Sequence, residues 1–478
     1  MFRRASWLFG ILTLAVAATA SERTRPDIVM IVADDLRPDA LAVTGNPEVR
    51  TPHLDRLAAR GARFTRATCS YPICHVSRTE MFAGRPLVAA AGKNGANALP
   101  FDPAWTLYPA HFAALGWRTI HSGKWHVAGS PRAAGFAETA GLFSPRGGPA
   151  GVAATLPETP TGRAATGYVG WTFKDNDNKP LPQHGVGLTP HTDRIMTDFA
   201  VAAAARAGDG PLFLQVNFTA PHDPLHWPAG REGARDFRSM ALPGNFRAAH
   251  PFETGNLAGR DERIVAPPRT PEAVRRERAI YFTQVEHIDA QVGRIVAAVE
   301  RAGRLERTIF VFTSDHGLAL GSHGLMGKQN QYEHTINVPL ILAGPGVTRG
   351  VFPAQCYLRD LYPTLCELAG IAIPGSVAAR SLRPVLRGER TEIHDEIFGY
   401  FTGTQRMVRE AAGWKLIHYP VSDRFQLFHV FDDPLELRNL IADPAHAAHA
   451  ARLREKLAAW QRAHGDPALT GDGAGSRP

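Results

Sequence analysis

Ionisable residues gather at the ends of four apolar runs. "DIVMIVADD" (27 to 35) closes on Asp34 and Asp35, "WRTIHSGKWH" (117 to 126) on Lys124 and His126, "PLFLQVNFTAPHD" (211 to 223) carries His222 near its end, and "RTIFVFTSDHG" (307 to 317) carries Asp315 and His316. Two adjacent carboxylates behind a buried strand repel one another unless a cation or an arginine compensates them. Asp34, Asp35 and Asp315, with His316 beside them, are an oxygen-rich set suited to a hard divalent cation such as Ca²⁺ or Mg²⁺, whereas zinc recruits more nitrogen or sulfur.

A fifth stretch, "CSYPICHVSRTEMFAGRP" (69 to 86), sets Cys74 ahead of residues with helix-forming character. Cys74 and Ser77 then lie at or near a helix amino terminus, which favours negative charge, and Arg78 follows within one turn. From these residues alone Cys74 reads equally as a reactive group or as a buried inert thiol, the reading given to Cys69.

The elements that must position these side chains follow from the hydrophobic pattern. Apolar β-rich runs alternate with helical periodicity, which predicts an α/β domain around a mostly parallel sheet. Every run delivers its ionisable residues at its carboxyl end, where open α/β sheets gather ligand sites, so one site built from several strand ends is expected. The α/β sandwich is expected over residues 22 to 375 and a smaller subdomain over 376 to 465. In the latter "EIFGYF", "QRMVRE" and "WKLIHY" read as strands of an antiparallel sheet and 442 to 463 as a closing helix. The tail, 466 to 478, is expected to be disordered, and there are no internal repeats.

The chain has 478 residues, 44% hydrophobic and 21% charged, which suits a globular protein large enough for more than one core. Residues 1 to 20, "MFRRASWLFGILTLAVAATA", have the basic start, short apolar run and small-residue end of a secretory signal, too short for a bilayer span, so export to a periplasm or medium is expected without a stable membrane span. The formal charge of +8 falls to +6 without the two arginines of that segment; no dense basic run marks a nucleic-acid face. Cys69, Cys74, Cys356 and Cys366 are too few for a disulfide scaffold, and if "YLRDLYPTL" is helical, Cys356 and Cys366 stand about 15 Å apart and unpaired. "DNDNK" (175 to 179) resembles a calcium loop only superficially, because Lys179 and Pro180 fall where a ligand and a turn glycine are needed. Only seven of the 53 basic residues are lysines, which draws attention to Lys124 and Lys328 as compact ammonium donors for an anion.

Taken with "IVADDLRPD", "TPHLDRLAARGARFTRATCSYPICHVSR", "GWRTIHSGKWH", "FTAPHDP", "FTSDHGLALGSHGLMGKQNQYEH" and "VPLILAGPGV", in this order, the chain resembles a type I, formylglycine-dependent sulfatase of the alkaline-phosphatase superfamily, in the iduronate-2-sulfatase and choline-sulfatase-like branch. "WKLIHYP" and "QLFHVFDDPLELRNL" resemble that family's small second domain. The resemblance implies an alkaline-phosphatase-like sandwich and hydrolysis of a sulfate ester, on a sulfated carbohydrate or another sulfated small molecule. It implies that a maturase converts Cys74 to formylglycine, whose hydrate is the nucleophile. It implies that Asp34, Asp35, Asp315 and His316, with residue 74, hold a divalent ion, usually Ca²⁺. Arg78 and Lys124 would fix the diol and the sulfate, His222 and Lys328 would reach the sulfate and bridging oxygen, and His126 would take a proton so that sulfate can leave. One departure is plain: the family motif carries Pro or Ala where this chain has Val76.

The same set of residues admits a phosphodiesterase or phosphonate monoester hydrolase, or a catalytically silent binder of sulfated glycans. Specificity would reside in loops such as 129 to 192 and 223 to 270, where His191, His226 and Trp227 are either pocket-lining or ordinary loop residues.

Overall fold

A computed structural model describes residues 25–90, 99–145, 167–206 and 208–469. Thirteen strands occur among these, in chain order β1 (Asp27–Ala33), β2 (Ala62–Thr68), β3 (Arg118–Lys124), β4 (Glu138–Ser144), β5 (Thr172–Lys174), β6 (Leu212–Asn217), β7 (Thr308–Ser314), β8 (Asn337–Ala343), β9 (Gly350–Tyr357), β10 (Glu396–Phe401), β11 (Gln405–Glu410), β12 (Trp414–Tyr419) and β13 (Arg424–His429). The first nine form one sheet in the order β5-β4-β3-β6-β1-β7-β8-β2-β9, and the last four a separate antiparallel sheet in sequential order. In the large sheet β4, β3, β6, β1 and β7 are mutually parallel, while β5 and β8 run against their neighbours. This is the α/β sandwich around a mostly parallel sheet, with a smaller antiparallel sheet, that the sequence predicts.

Strand β1 explains why the sheet is covered on both sides. All seven of its residues are buried, so the run lacks the apolar-polar alternation of a half-exposed strand. Val29, Ile31 and Ala33 enter a core shared with the helices α1 (Pro52–Arg60), Thr192–Ala205 and Pro271–Arg301, whereas Ile28, Met30 and Val32 enter the core on the other face, against α2 (Cys74–Ala83) and the helices Tyr108–Ala114 and Leu361–Ala369. The four strands whose ends carry the ionisable residues, β3, β6, β1 and β7, are adjacent in the sheet. Their carboxyl ends therefore share one edge.

The small sheet is joined to that edge by buried polar contacts. Tyr400 donates to Glu80 of α2 at 2.5 Å, Arg359 donates to the same carboxylate at 2.9 Å, and Arg409 of β11 pairs with Glu333 at 2.7 Å. The helix that begins at Cys74 is thereby tied to both sheets.

Three details differ from the sequence reading. Cys356 lies in β9, an extended segment, and only Cys366 is helical; both thiols are nevertheless free and buried. The closing helix begins at Ala447, because Pro444 starts a 3₁₀ turn capped by the Asp443 side chain. Asp466, assigned above to a disordered tail, is 2% exposed and receives both arms of Arg406 at 2.6 Å, an ion pair that holds the chain end as far as Leu469. The signal-like segment and residues 470 to 478 lie outside the described residues.

Candidate active site

The site is assembled at the shared edge from turns that leave the strands. After β1 the chain turns at Asp35, whose φ of 66° is uncommon for a residue with a side chain. Tyr281 of the long helix secures this turn, donating to the Asp35 carbonyl at 2.7 Å and accepting from the Arg37 amide at 2.8 Å. The consequence is that Asp34 and Asp35 present separate carboxylates to two different cations. Asp34 meets Lys124, and Asp35 meets Lys328 at 3.0 Å. Gly123 precedes Lys124 at φ 85° in a register shift between β3 and β4, and a Cβ there would stand 2.2 Å from the Asn217 carbonyl, so only glycine lets β3 approach β6 while turning Lys124 inward.

Cys74 is the first residue of α2, and its Sγ lies 3.3 Å from Asp34 Oδ1, 3.3 Å from His316 Nε2 and 3.7 Å from Lys328 Nζ. One turn further on, Arg78 Nε donates to Asp315 Oδ2 at 2.8 Å and Ser77 donates to the Asp315 carbonyl at 2.7 Å. Arg78 Nη1 is buried with no hydrogen-bond partner. Burial pushes the Cys74 thiol well above its ordinary range, and Asp315 and Asp35 add to this against the opposing charges of Lys328 and Arg78. As a thiol it stays protonated. Cys69 is buried likewise and donates to the Tyr71 carbonyl at 3.0 Å.

The other residues singled out by sequence arrive at the same place. His316 Nδ1 lies 3.0 Å from Asp35, and His222 Nδ1 lies 3.0 Å from Asp223. His126 packs edge-on against Trp171 and against His75, with its Nδ1 buried and unpaired. Burial, and then the charge on Lys124, hold its imidazole well below the ordinary histidine range, so it is neutral near pH 7. For Lys328, burial works against the ammonium, but Asp35 and the neighbouring groups outweigh it and hold the lysine above its ordinary range.

Four participants were missed by the sequence reading. Tyr168 donates to Asp34 Oδ2 at 2.7 Å, with Lys124 Nζ 5.0 Å from its ring centre. Asp223 and Asp261 flank Lys328 at 4.0 and 3.9 Å, and Arg260 pairs with both of these carboxylates. Asp223 stood inside a quoted motif, but Tyr168, Arg260 and Asp261 sit in the two long loops, where no periodicity distinguishes them. His226 and Trp227, by contrast, belong to the scaffold: His226 is buried against the Pro224 carbonyl and Gln284, and Trp227 packs on the core. His191 is an exposed residue ahead of a helix. Lysine rarity proves a weak guide, since Lys415 is equally buried between Glu333 and Glu436.

Among the described residues, Asp34, Asp35, Cys74 and His316 offer ligand atoms that all lie within 4.8 Å of one another. Two carboxylates, one imidazole and residue 74 are a donor set that fits a hard divalent cation once residue 74 presents oxygen. Asp315 stands beside this group, with Oδ2 committed to Arg78 and Oδ1 accepting from the His316 amide at 3.0 Å. The charges agree with that fit. Five carboxylates (Asp34, Asp35, Asp223, Asp261, Asp315) outnumber the basic partners Arg78, Lys124, Arg260 and Lys328, and burial holds Lys124 well below its ordinary range, so the buried cluster carries an excess of negative charge that a divalent ion would offset.

Fold and site together define an alkaline-phosphatase-type hydrolase of anionic esters. The Sulfatase family model matches residues 26–371, and a model for the C-terminal region of N-sulphoglucosamine sulphohydrolase matches 321–463. The chain belongs to the sulfatase family and is a sulfuric ester hydrolase. It is 28% identical to an arylsulfatase of Clostridium perfringens, over 91% of this chain and 94% of that one, and 27% identical to a Δ4,5-hexuronate-2-O-sulfatase of Bacteroides thetaiotaomicron, over 94% and 91%. Among solved structures, a 2-O GAG sulfatase aligns with TM-score 0.73 at 25% identity, covering 93% of this chain and 94% of that one. A phosphonate monoester hydrolase of Silicibacter pomeroyi aligns with TM-score 0.71 at 23% identity, covering 93% and 96%. Among the described residues no helix is long and apolar enough to cross a membrane.

Proposed function

We propose that this is an exported, formylglycine-dependent, metal-assisted sulfatase acting on sulfated carbohydrates. The observation that carries the reading is the setting of Cys74, at the first position of a buried helix and in contact with Asp34, His316 and Lys328, where burial keeps the thiol protonated. A protonated thiol is a poor nucleophile. Its Sγ stands instead for an oxygen of the hydrated aldehyde that maturation would create. Hydrated formylglycine at residue 74 supplies one hydroxyl to attack sulfur and a second whose deprotonation returns the aldehyde.

Asp34, Asp35, Asp315, His316 and residue 74 are the proposed metal group, with Asp315 also orienting Arg78. A bound Ca²⁺, or Mg²⁺, supplies Lewis-acid polarisation of the sulfate and favours an oxyanion at residue 74. Arg78 and Lys124 hold the nucleophilic oxygen and the sulfate. His222 and Lys328 face the bridging oxygen, and a proton delivered there lets the alcohol depart as the sulfur–oxygen bond breaks. His126, neutral and unpaired at Nδ1, takes the proton from the second hydroxyl as sulfate leaves. The sulfated-carbohydrate class rests on the hexuronate and GAG sulfatases among the relatives.

Mass spectrometry of the peptide holding "ICHVSR" from active enzyme should show the aldehyde's mass deficit relative to cysteine. Cys74→Ala should be inactive with its fold intact. Full turnover from a preparation containing only unmodified cysteine would overturn the mechanism.

The phosphonate monoester hydrolase likeness favours a second reading. A sulfate monoester, a phosphate diester and a phosphonate monoester each present a singly charged tetrahedral group, so the same basic side chains can receive any of them. Faster turnover of phosphonate esters than of sulfate esters would decide for the second reading.

A further inference from the structure

Three of the four cations in the cluster are sealed from solvent, with side chains 2% (Arg78), 0% (Lys124) and 1% (Lys328) exposed, while the fourth, Arg260, is 39% exposed. Arg260 is nonetheless oriented as firmly as the others. Its Nε donates to Asp261 at 2.6 Å and its Nη2 to Asp223 at 3.3 Å, and both carboxylates are fully buried. This leaves Nη1 as the edge of the guanidinium that neither carboxylate uses. That edge lies close to His222: a Cβ at Gly167 would stand 3.5 Å from Arg260 Nη1, 3.1 Å from the His222 ring and 2.8 Å from the Asp223 carbonyl, so the bare glycine backbone is what lets the two side chains come together there. A planar fork held on one side by two carboxylates and open on the other is preorganised to receive an anion.

We propose that Arg260 is the specificity residue for a second anionic group on the substrate, a carboxylate or a further sulfate on the sugar that carries the scissile ester. This deepens the proposed function and rests on it: the substrate class becomes polyanionic sulfated carbohydrate. His222 faces the bridging oxygen, and Arg260 beside it meets the leaving group rather than the transferred sulfate.

The test is calorimetry on the full-length chain in calcium-containing buffer, in a Cys74→Ala background so that nothing turns over. Two matched pairs serve as probes: glucose 2-sulfate against glucuronic acid 2-sulfate, and N-acetylglucosamine 6-sulfate against glucosamine 2-N,6-O-disulfate. The member with the extra charge should bind about tenfold more tightly in at least one pair, the worth of one charge-assisted contact. Arg260→Gln should abolish that preference, and Arg260→Lys should restore part of it. The pair that discriminates distinguishes a carboxylate from a second sulfate. No preference in either pair, no binding of any probe, or an Arg260→Gln that weakens both members equally, as a mere prop for Asp223 and Asp261 would, overturns the proposal. Failure of the formylglycine reading would appear in the mass of residue 74 and not in these affinity ratios.

Discussion

Tyr168→Phe isolates a single hydrogen bond in the candidate metal group. The phenol donates to Asp34 Oδ2 at 2.7 Å, and burial raises its own ionisation well above the ordinary tyrosine range, so it remains a donor at any working pH. The ring has separate duties: it packs against Trp171 at 4.9 Å and His222 at 4.7 Å, and phenylalanine preserves both contacts. Removal of the hydroxyl leaves Asp34 with Lys124, with Cys74 Sγ at 3.3 Å and, at 3.7 Å, with Arg78. A hydrogen bond to a charged group is worth about 1.5–3 kcal/mol. Calcium affinity by calorimetry should fall roughly 10- to 150-fold, with kcat/KM for an aryl sulfate falling in parallel at limiting calcium. The metal-free unfolding midpoint should fall by only about 1.5–3 °C, the lost bond being spread over the large unfolding entropy of a 478-residue chain. Changes under twofold in both affinity and kcat/KM, at an unaltered midpoint, would refute the assignment of Asp34 to the metal and of Tyr168 to its orientation.

Chelation should abolish turnover, and Asp315→Ala should do so as well, because it frees Arg78 and removes the carboxylate beside His316; full activity in metal-free buffer, checked by elemental analysis, would remove the ion from the mechanism. His126→Ala should slow release of sulfate more than its transfer to the enzyme, so that a sulfated peptide can be trapped and weighed. Because burial holds His126 below its ordinary value of 6.5, the wild-type acid limb for that step should lie below pH 6.5. The Glu333–Glu436 pair should leave a mark on stability. Burial, with the charge of Glu333 and against Lys415, raises Glu436 from 4.5 to about 7, so the folded chain keeps a proton that the unfolded chain releases, and stability falls as pH rises from 4.5 to about 7. The loss is on the order of 3 kcal/mol, and urea unfolding at pH 5 and pH 8 should show Glu436→Gln flattening it.

Much of the fold was legible because buried parallel strands read as continuous apolar runs. "DIVMIVA", "TIFVFTS" and "LFLQVN" are strands along their whole length, and the three predicted strands of the small sheet fall at Glu396–Phe401, Gln405–Glu410 and Trp414–Tyr419. Segments whose structure depends on distant partners were not legible. "YLRDLYPTL" straddles a strand end and a helix start, and Asp360 decides the break by accepting from the Tyr357 amide at 2.8 Å and from His394 at 2.7 Å. Asp466 is held by Arg406, sixty positions earlier and buried opposite it, and by Gln461.

By itself the sequence determined which residue types stand at which strand ends: Asp34 and Asp35, Lys124 and His126, His222, Asp315 and His316. Strand ends can be read because burial imposes a local, periodic pattern that ends where polarity returns. Tertiary structure alone decided that β3, β6, β1 and β7 are neighbours, so that these ends meet at one edge, and that Tyr168, Arg260 and Asp261 come to that edge from loops without any pattern. Pairing a buried charge depends on distance and dielectric rather than on position along the chain. The partners of Asp34 and Lys328 exist only once the sheet has brought residues separated by as many as 293 positions within hydrogen-bonding reach.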